Sequence, residues 1–320
     1  MDREDYKMAE KPVTPQDADV KSVPLISVIV PSFNYARFLK EALDSILNQS
    51  FQDFEIIVVD DGSKDSSLSI LRLYQQKFPK IKVFTHPNHE NLGLPKTIDL
   101  GIKKASGEWV AFLEADDVWN LNCLSSRVDA ISKKNVGFCS NKIEPLVEMG
   151  ANDNWFRSYV PRVERKLIEL QSGSGFFDLQ VQILKENLIP TFSCAMVKRE
   201  LLLACDFNTP VTAWLDWFLW SQIFQKTGGV FIDIPLTRWR LHNTSQNSKK
   251  SLFQFIKNYS HFRKKLAARF SSIQCSDKAS KIRLLRAPIF YPLTRRFLLG
   301  IREIGFFPFF KQIIKRFSKY

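Results

Sequence analysis

The stretch WVAFLEADDVW, residues 109–119, joins an apolar segment to a group of acids. Its apolar first half predicts a strand buried on both faces. Glu114, Asp116 and Asp117 then follow within four positions. Like charges this close repel each other, and a carboxylate beside a hydrophobic strand is costly to desolvate. The pattern therefore indicates that a cation joins these acids.

Strands and helices alternate along the first third of the chain. Between the strands, apolar residues recur at three- and four-residue spacing, as in ARFLKEALDSILNQS at 36–50, which predicts amphipathic helices. This alternation predicts an α/β fold with a mixed, mostly parallel sheet and helices on both faces. Ligands of such sheets lie beyond the carboxyl ends of the strands. The predicted strand segments are LISVIVPSF (25–33), FEIIVVDD (54–61), IKVFTH (81–86) and EWVAFL (108–113).

The pattern is looser in the second half. LIPTFSCAMVKRELL (188–202) predicts a strand leading into a helix, and AWLDWFLWSQIFQKTGG (213–229) predicts an aromatic helix ended by two glycines. VFIDIPLTRWRLHNTS (230–245) predicts two further short strands. Neither a Gly-x-Gly-x-x-Gly nor a Walker-type glycine loop is found, which disfavours dinucleotide enzymes and P-loop kinases.

Charge is distributed unevenly along the chain. The net charge is +13, but residues 251–320 carry +14 and the first 250 residues carry −1. The polar leader, residues 1–23, is predicted to be disordered, and residues 249–320 to be a basic, amphipathic helical tail. Such a tail either contacts an anionic membrane or packs on the preceding domain with its charges in solvent. Five scattered cysteines without metal-site spacing favour a reduced, cytoplasmic location.

Five ordered elements together resemble the inverting family 2 glycosyltransferases of the GT-A fold. They are VIVPSFN, IIVVDDGSKDSS, NLGLPKTIDLGIKKASGEWVAFLEADD, WLDW and RWRLHNTS, spread over residues 25–245. The resemblance implies a catalytic domain over 24–248. It also implies an enzyme that moves a sugar, with inversion, from a nucleotide-diphosphate donor, expected to be a UDP-sugar, to a glycan or lipid-linked acceptor in surface polysaccharide synthesis.

The resemblance gives the acids a role as a metal and ribose site. Asp116 would bind Mg²⁺ or Mn²⁺, and Glu114, with Ala115 beside it, would face the ribose or the metal shell. Glu114 stands where the family usually has Asp, which is a departure from the pattern. The alternative is that the three acids cap the helix that follows Val118.

Further nucleotide-sugar contacts are implied along the chain. Phe33 would stack on the base, and Asp60 or Asp61 would accept the imide N–H of a uracil. Lys96 and Arg240 would contact phosphate, and Gly93 would permit close backbone approach. The alternatives are an ordinary strand-end turn at Pro31 to Phe33, turn chemistry at DDGS and a solvated helix lysine at Lys96. The complete set of implied nucleotide-sugar residues is Pro31, Ser32, Phe33, Asp60, Asp61, Gly93, Lys96, Glu114, Ala115 and Arg240.

Sugar transfer also needs a base that deprotonates the acceptor hydroxyl. Asp216 matches the family's base position, although Leu215 replaces the usual Glu, and the neighbouring tryptophans suggest a raised pKa and sugar stacking on indole. Helix capping is the alternative for Asp216. His242 matches a family histidine near the metal, with a merely structural role as its alternative.

Two other functions remain open from the sequence. The departures at Glu114 and Leu215 are consistent with a degenerate family member that binds nucleotide or glycan without turnover. The basic tail is consistent with nucleic-acid binding, although no nucleic-acid module is recognised and none is expected as a partner.

Overall fold

The computed structural model describes residues 23–172, 178–207, 214–243, 262 and 264–266. Residues 1–22 of the predicted leader and nearly all of the predicted tail lie outside this part, so both assignments stay predictions. No helix within the described ranges is long and apolar enough to cross a membrane.

One eight-stranded sheet organises the described chain, in the order β3-β2-β1-β4-β7-β6-β8-β5. β3, β2, β1 and β4 run parallel to one another, and so do β6 and β8. β7 is antiparallel to both β4 and β6, and β5 is antiparallel to β8. The mixed, mostly parallel sheet predicted from the sequence is therefore confirmed. The strands are β1 Ile26–Ser32, β2 Phe54–Asp60, β3 Ile81–Thr85, β4 Trp109–Phe112, β5 Val118–Trp119, β6 Phe138–Val147, β7 Ala195–Lys198 and β8 Gly229–Leu241.

Helices cover both faces of this sheet. Along β1, Ile29 packs into a core on one side, while Val28 and Val30 pack into a core on the other. Because successive side chains of a strand point to opposite faces, a strand buried on both faces needs a continuous apolar run. The helices are α1 Ala36–Leu47, α2 Ser67–Lys77, α3 Leu94–Lys104, α4 Cys123–Ser132, α5 Asn154–Gln171, α6 Gln182–Lys185, α7 Arg199–Leu203 and α8 Leu215–Ile223.

The prediction of two short strands after Gly229 is wrong. β8 is one continuous strand of 13 residues that contains Pro235. Its pairing with β6 shifts register on both sides of Lys142, so the extra residues of β8 are absorbed as an irregularity in the ladder. Proline lacks an N–H for the ladder but is tolerated at such bulges, so the chain continues as a strand.

Candidate active site

The polar ends of three strands meet at one edge of the sheet. Ser32, the last residue of β1, is paired with Asp60, the last residue of β2. β4 is the other parallel neighbour of β1, and Glu114 begins the acidic segment two residues beyond its end. Parallel strands bring their carboxyl ends together, so this edge is where a ligand is expected to bind.

Hydroxyl groups from the segment before β7 hold two of the acids. Thr191 donates a hydrogen bond from Oγ1 to Glu114 Oε2 (2.6 Å), and Ser193 donates from Oγ to Asp117 Oδ2 (2.6 Å). The backbone N–H of Arg240 donates to the other Asp117 oxygen (2.8 Å). The acids do not cap the next helix, because α4 begins only at Cys123. The capping alternative is therefore wrong.

The electrostatics of these acids indicate a shortage of positive charge. Burial, followed by the charge of Asp116, raises the pKa of Glu114 from 4.5 to about 8. The same two causes raise the pKa of Asp117 well above its ordinary value. Neutral hydroxyls and a backbone amide are weak compensation for two desolvated carboxylates. A bound cation would lower both pKa values.

Asp116 and His242 lie side by side at the centre of the edge. Asp116 Oδ2 is 3.0 Å from Nε2 of His242, and the hydroxyl of Tyr35 also bonds to Asp116. The buried imidazole packs on the ring of Phe38, with centroids 4.8 Å apart. No group of three His, Cys, Asp or Glu side chains in the described chain is arranged to hold a metal. Mg²⁺ sites often use one or two carboxylates plus substrate phosphates, so this pair fits a metal completed by a diphosphate.

Arg240 ties these acids to helix α1. Its Nε donates to the main-chain oxygen of Asp116 (2.7 Å), and its guanidinium pairs with Glu41 and lies near Glu148, with Nη1 3.6 Å from Oε1. The guanidinium carbon also lies 4.8 Å from the centre of the Phe38 ring. Arg240 thus lies at the predicted site, and its guanidinium has protein partners there.

The acids that follow β2 shape a turn and fasten the loop before α3. Asp60 accepts hydrogen bonds from the backbone N–H (3.0 Å) and the hydroxyl (2.5 Å) of Ser63, which is the predicted turn chemistry. Asp61 accepts from the backbone N–H groups of Leu92 (2.8 Å) and Gly93 (3.0 Å). Burial raises the pKa of Asp61. Both acids therefore have structural roles, and neither contact decides which one reads a base.

The other predicted nucleotide contacts lie around this turn. Pro31 and Ala115 are buried, Phe33 is partly exposed, and Lys96 is exposed in the first turn of α3. The hydroxyl of Ser32 is buried and has no hydrogen-bond partner within the described structure. A buried hydroxyl without a partner is costly, so a ligand or water that bonded to Ser32 would stabilise this end of β1.

Asp216, the predicted base, is the second residue of α8. Its Oδ2 accepts a hydrogen bond from Nδ2 of Asn187 (2.9 Å), and Trp217 supplies a backbone N–H. Burial raises the pKa of Asp216 from 3.8 to about 7. The charge of Asp216 in turn contributes to the raised pKa of Glu114. Asp216 and the acids after β4 therefore belong to one electrostatic site.

The expectation that indoles beside Asp216 stack on sugar is wrong for two of them. Trp217 and Trp220 are 5% and 0% exposed. Their indole N–H groups donate to the main-chain oxygens of Ile183 and Ile189. Helix α8 is mostly apolar and largely buried, so these rings belong to the core.

A match to a family model shows which protein family the chain belongs to. The model described as Glycosyl transferase family 2 matches residues 27–204, more than half of the chain. The chain belongs to glycosyltransferase family 2. The resemblance inferred from the sequence motifs is confirmed.

Family 2 relatives cover the chain to different extents. The Escherichia coli UDP-Glc:alpha-D-GlcNAc-diphosphoundecaprenol beta-1,3-glucosyltransferase WfgD is 25% identical over 228 residues, which are 71% of this chain and 81% of that protein. The matches to the first two curated relatives, from Nostoc sp. and Haemophilus influenzae, span only 34% and 66% of the lengths of those relatives.

Solved glycosyltransferase structures share the fold. S. aureus TarS 1–349 in complex with UDP-GlcNAc has a TM-score of 0.62 at 20% identity, over 82% of this chain and 70% of that chain. The mannosyltransferase PcManGT from Pyrobaculum calidifontis, in complex with GDP-Man and Mn²⁺, has a TM-score of 0.55 at 19% identity, over 93% and 81%. The GT-A-type fold predicted from the sequence is confirmed.

This family 2 site also contains residues that the sequence reasoning missed. Tyr35, Asn187, Thr191 and Ser193 each hydrogen bond to one of the acids. Thr191 and Ser193 lie in a segment predicted as strand, although β7 begins only at Ala195 and a 3-10 turn, Phe192–Cys194, precedes it. The available signal was Pro190 followed by alternating hydroxyl residues, a pattern more typical of a turn than of a buried strand.

Proposed function

We propose that this chain is a metal-dependent, inverting glycosyltransferase that uses a nucleotide-diphosphate sugar. The observation that carries the proposal is that, in addition to burial, the charges of Asp116 and Asp216 both raise the pKa of Glu114, so the acids after β4 and the proposed base influence one another. Asp116 and His242, 3.0 Å apart, are the proposed metal-binding pair, and Asp216 has a pKa of about 7. A base that titrates near neutral pH is suited to proton transfer at that pH.

The donor is proposed to lie along the carboxyl edge of the sheet. The nucleobase of the donor would stack on Phe33 near Asp60 and Asp61, and the ribose would face Glu114. A divalent Mn²⁺ or Mg²⁺ held by Asp116 and His242 would stabilise the negative charge of the departing diphosphate. The names of the relatives support a uridine donor in two cases, UDP-GlcNAc and UDP-Glc, and a guanosine donor with Mn²⁺ in another.

Asp216 is proposed to take the proton from the acceptor hydroxyl. In its charged form it accepts that proton as the hydroxyl oxygen attacks the anomeric carbon opposite the leaving diphosphate, and a single displacement inverts the centre. Asn187 holds one carboxylate oxygen at 2.9 Å and thereby fixes the direction in which the carboxylate points. The apolar surroundings of α8 keep the pKa near neutral.

The acceptor is proposed to be a glycan or lipid-linked sugar used in surface polysaccharide synthesis. The name of WfgD specifies a diphosphoundecaprenol-linked acceptor for that relative. A lipid-linked acceptor would place the enzyme at the cytoplasmic face of a membrane, where the basic residues of 251–320 would meet anionic lipid.

A degenerate family member is the second candidate, and one observation favours it. With a pKa of about 8, Glu114 is largely protonated at neutral pH, which removes one negative charge from the expected metal shell. Such a protein would bind a nucleotide sugar without turning it over. The first candidate predicts that a bound metal restores the charge of Glu114.

A thermal-shift screen of UDP- and GDP-sugars, with and without Mn²⁺, tests the proposal. At least one donor is expected to raise Tm by several degrees with Mn²⁺ and much less without it, because ligands of the folded state stabilise it by mass action. UMP, which lacks the second phosphate, is the matched control and should give a smaller shift. No shift with any donor contradicts the proposal, while a shift without nucleotide-diphosphate release supports the degenerate alternative.

A further inference from the structure

An exposed tryptophan lies at the start of helix α5. Trp155 is 45% exposed, whereas Trp109, Trp119, Trp217 and Trp220 are at most 5% exposed. A large aromatic side chain left in water loses the stabilisation that burial would give. A single exposed apolar side chain is ordinary, but one that continues into neighbouring aromatic rings marks a candidate contact surface.

Trp155 belongs to a group of three aromatic side chains, which we call the aromatic shelf: Trp155, Tyr159 and Trp239. Trp155 stacks on Tyr159, with centroids 4.8 Å apart and planes inclined by 23°. Trp239 of β8 meets Trp155 edge to face at 5.3 Å. Tyr159 and Trp239 are partly buried and pack on the main core. The shelf is therefore held in a defined orientation by the fold.

The shelf is linked to Asp216 through Asn187. The hydroxyl of Tyr159 donates to the main-chain oxygen of Asn187, and the side chain of Asn187 donates to Asp216. At its other end, Trp239 precedes Arg240, whose backbone N–H binds Asp117. One intervening residue therefore connects the shelf to the proposed base on one side and to the acid cluster on the other, so the shelf borders the candidate site.

We propose that the aromatic shelf binds the pyranose ring of the acceptor saccharide, with the apolar face of the ring against Trp155. This inference rests on the proposed function and assigns its acceptor site. Aromatic faces with a few nearby polar groups are typical of small-molecule sites. The polar groups beside Trp155 in the chain are Asp153, which pairs with Arg157 (2.6 Å), and Ser158, whose hydroxyl donates to the main-chain oxygen of Trp155 (3.0 Å).

A membrane surface is the other occupant that an exposed tryptophan suits. Interfacial segments combine aromatic residues with uncompensated basic charge. Here the basic residues next to the shelf have acid partners, Arg157 with Asp153 and Arg162 with Glu186, which Lys166 shares. Basic residues engaged in ion pairs are less available to anionic lipid, which favours a saccharide.

Saturation-transfer NMR with methyl β-glycosides of glucose, galactose and N-acetylglucosamine tests this inference. The full-length protein is expected to transfer saturation to the ring protons of at least one glycoside. Trp155→Ala should weaken its binding about tenfold or more, because the stacking face is lost. Trp155→Phe should restore part of it, and Ile168→Ala, an exposed apolar residue at the far end of the same helix, should leave it unchanged.

Two further measurements separate the outcomes. Donor-induced thermal shifts should be the same in Trp155→Ala and the unmodified protein. If donors stabilise the protein but no glycoside signal is seen, or if the signal survives Trp155→Ala, the acceptor site is overturned while the proposed function stands. If neither donors nor glycosides bind, both are overturned. A loss of binding to phosphatidylglycerol vesicles in Trp155→Ala, with glycoside binding intact, also overturns it in favour of a membrane contact.

Discussion

Replacing Asp216 by asparagine is expected to lower kcat for sugar transfer about 10³-fold, the typical contribution of a general base. The amide still fits between Asn187 and Trp217 but cannot take a proton. Nucleotide-diphosphate release from the donor found in the thermal-shift screen measures the effect. Donor-induced thermal shifts should persist, because the proposed metal ligands and the proposed nucleobase pocket are unchanged.

The same change should stabilise the protein above neutral pH. The pKa of Asp216 is about 7 in the fold, against an ordinary value of 3.8. Between these values the folded state binds more protons than the unfolded state, so this group lowers the free energy of unfolding as pH rises. At pH 8 the variant should be about 1–3 kcal/mol more stable in urea, and at pH 4 nearly equal to the unmodified protein.

Activity should have the opposite pH dependence. Only the charged form of Asp216 accepts a proton, so transfer should rise with pH to half its maximum near 7. Asp233→Asn is the matched control, because Asp233 is an exposed acid paired with Lys142. It should change neither rate nor pH profile. An Asp216→Asn enzyme that retained near-normal transfer would refute the assignment.

Replacing Asp116 by asparagine is expected to remove the Mn²⁺-dependent part of donor binding. A directly bound carboxylate should cost at least the roughly 10–100-fold in metal affinity that outer-shell partners cost. The amide retains the size of the side chain and can still bond to Tyr35, so the fold should survive. Titration of Mn²⁺ in the presence of UDP measures the loss.

Asp129 provides the control for this metal experiment. It is an exposed acid of α4, paired with Lys133 immediately after the end of that helix. Asp129→Asn should leave Mn²⁺ affinity unchanged. Equal Mn²⁺ affinity in Asp116→Asn and the unmodified protein would show that the metal, if used, binds elsewhere.

Local patterns were sufficient to predict the first half of the sheet. Both faces of β1 and β2 are buried, and the continuous apolar runs in these segments record that burial directly. β8 was harder, because a proline within a strand usually signals a break. Its continuity depends on a register shift against β6, which is a property of the partner strand.

The acids near β2 and β4 were predictable because they lie at or just beyond strand ends, and Asp216 was predictable from the WLDW motif. Their partners were not, since Asn187 and Thr191 reach Asp216 and Glu114 across 29 and 77 positions of the chain. The indoles of α8 were misread because their spacing near an acid suggested a sugar site. The high proportion of apolar residues in α8 was the better indication, because a helix with apolar residues on most of its faces is buried.

The central claim is that Asp116, His242 and Asp216 serve one metal-dependent transfer site. Anomalous diffraction from crystals grown with UDP and Mn²⁺ tests it most directly. The expected result is a manganese peak between the Asp116 carboxylate and the His242 imidazole. The diphosphate should be bound to the metal, and the uracil ring should lie beside Phe33. A nucleotide bound with its manganese away from both residues would contradict the account.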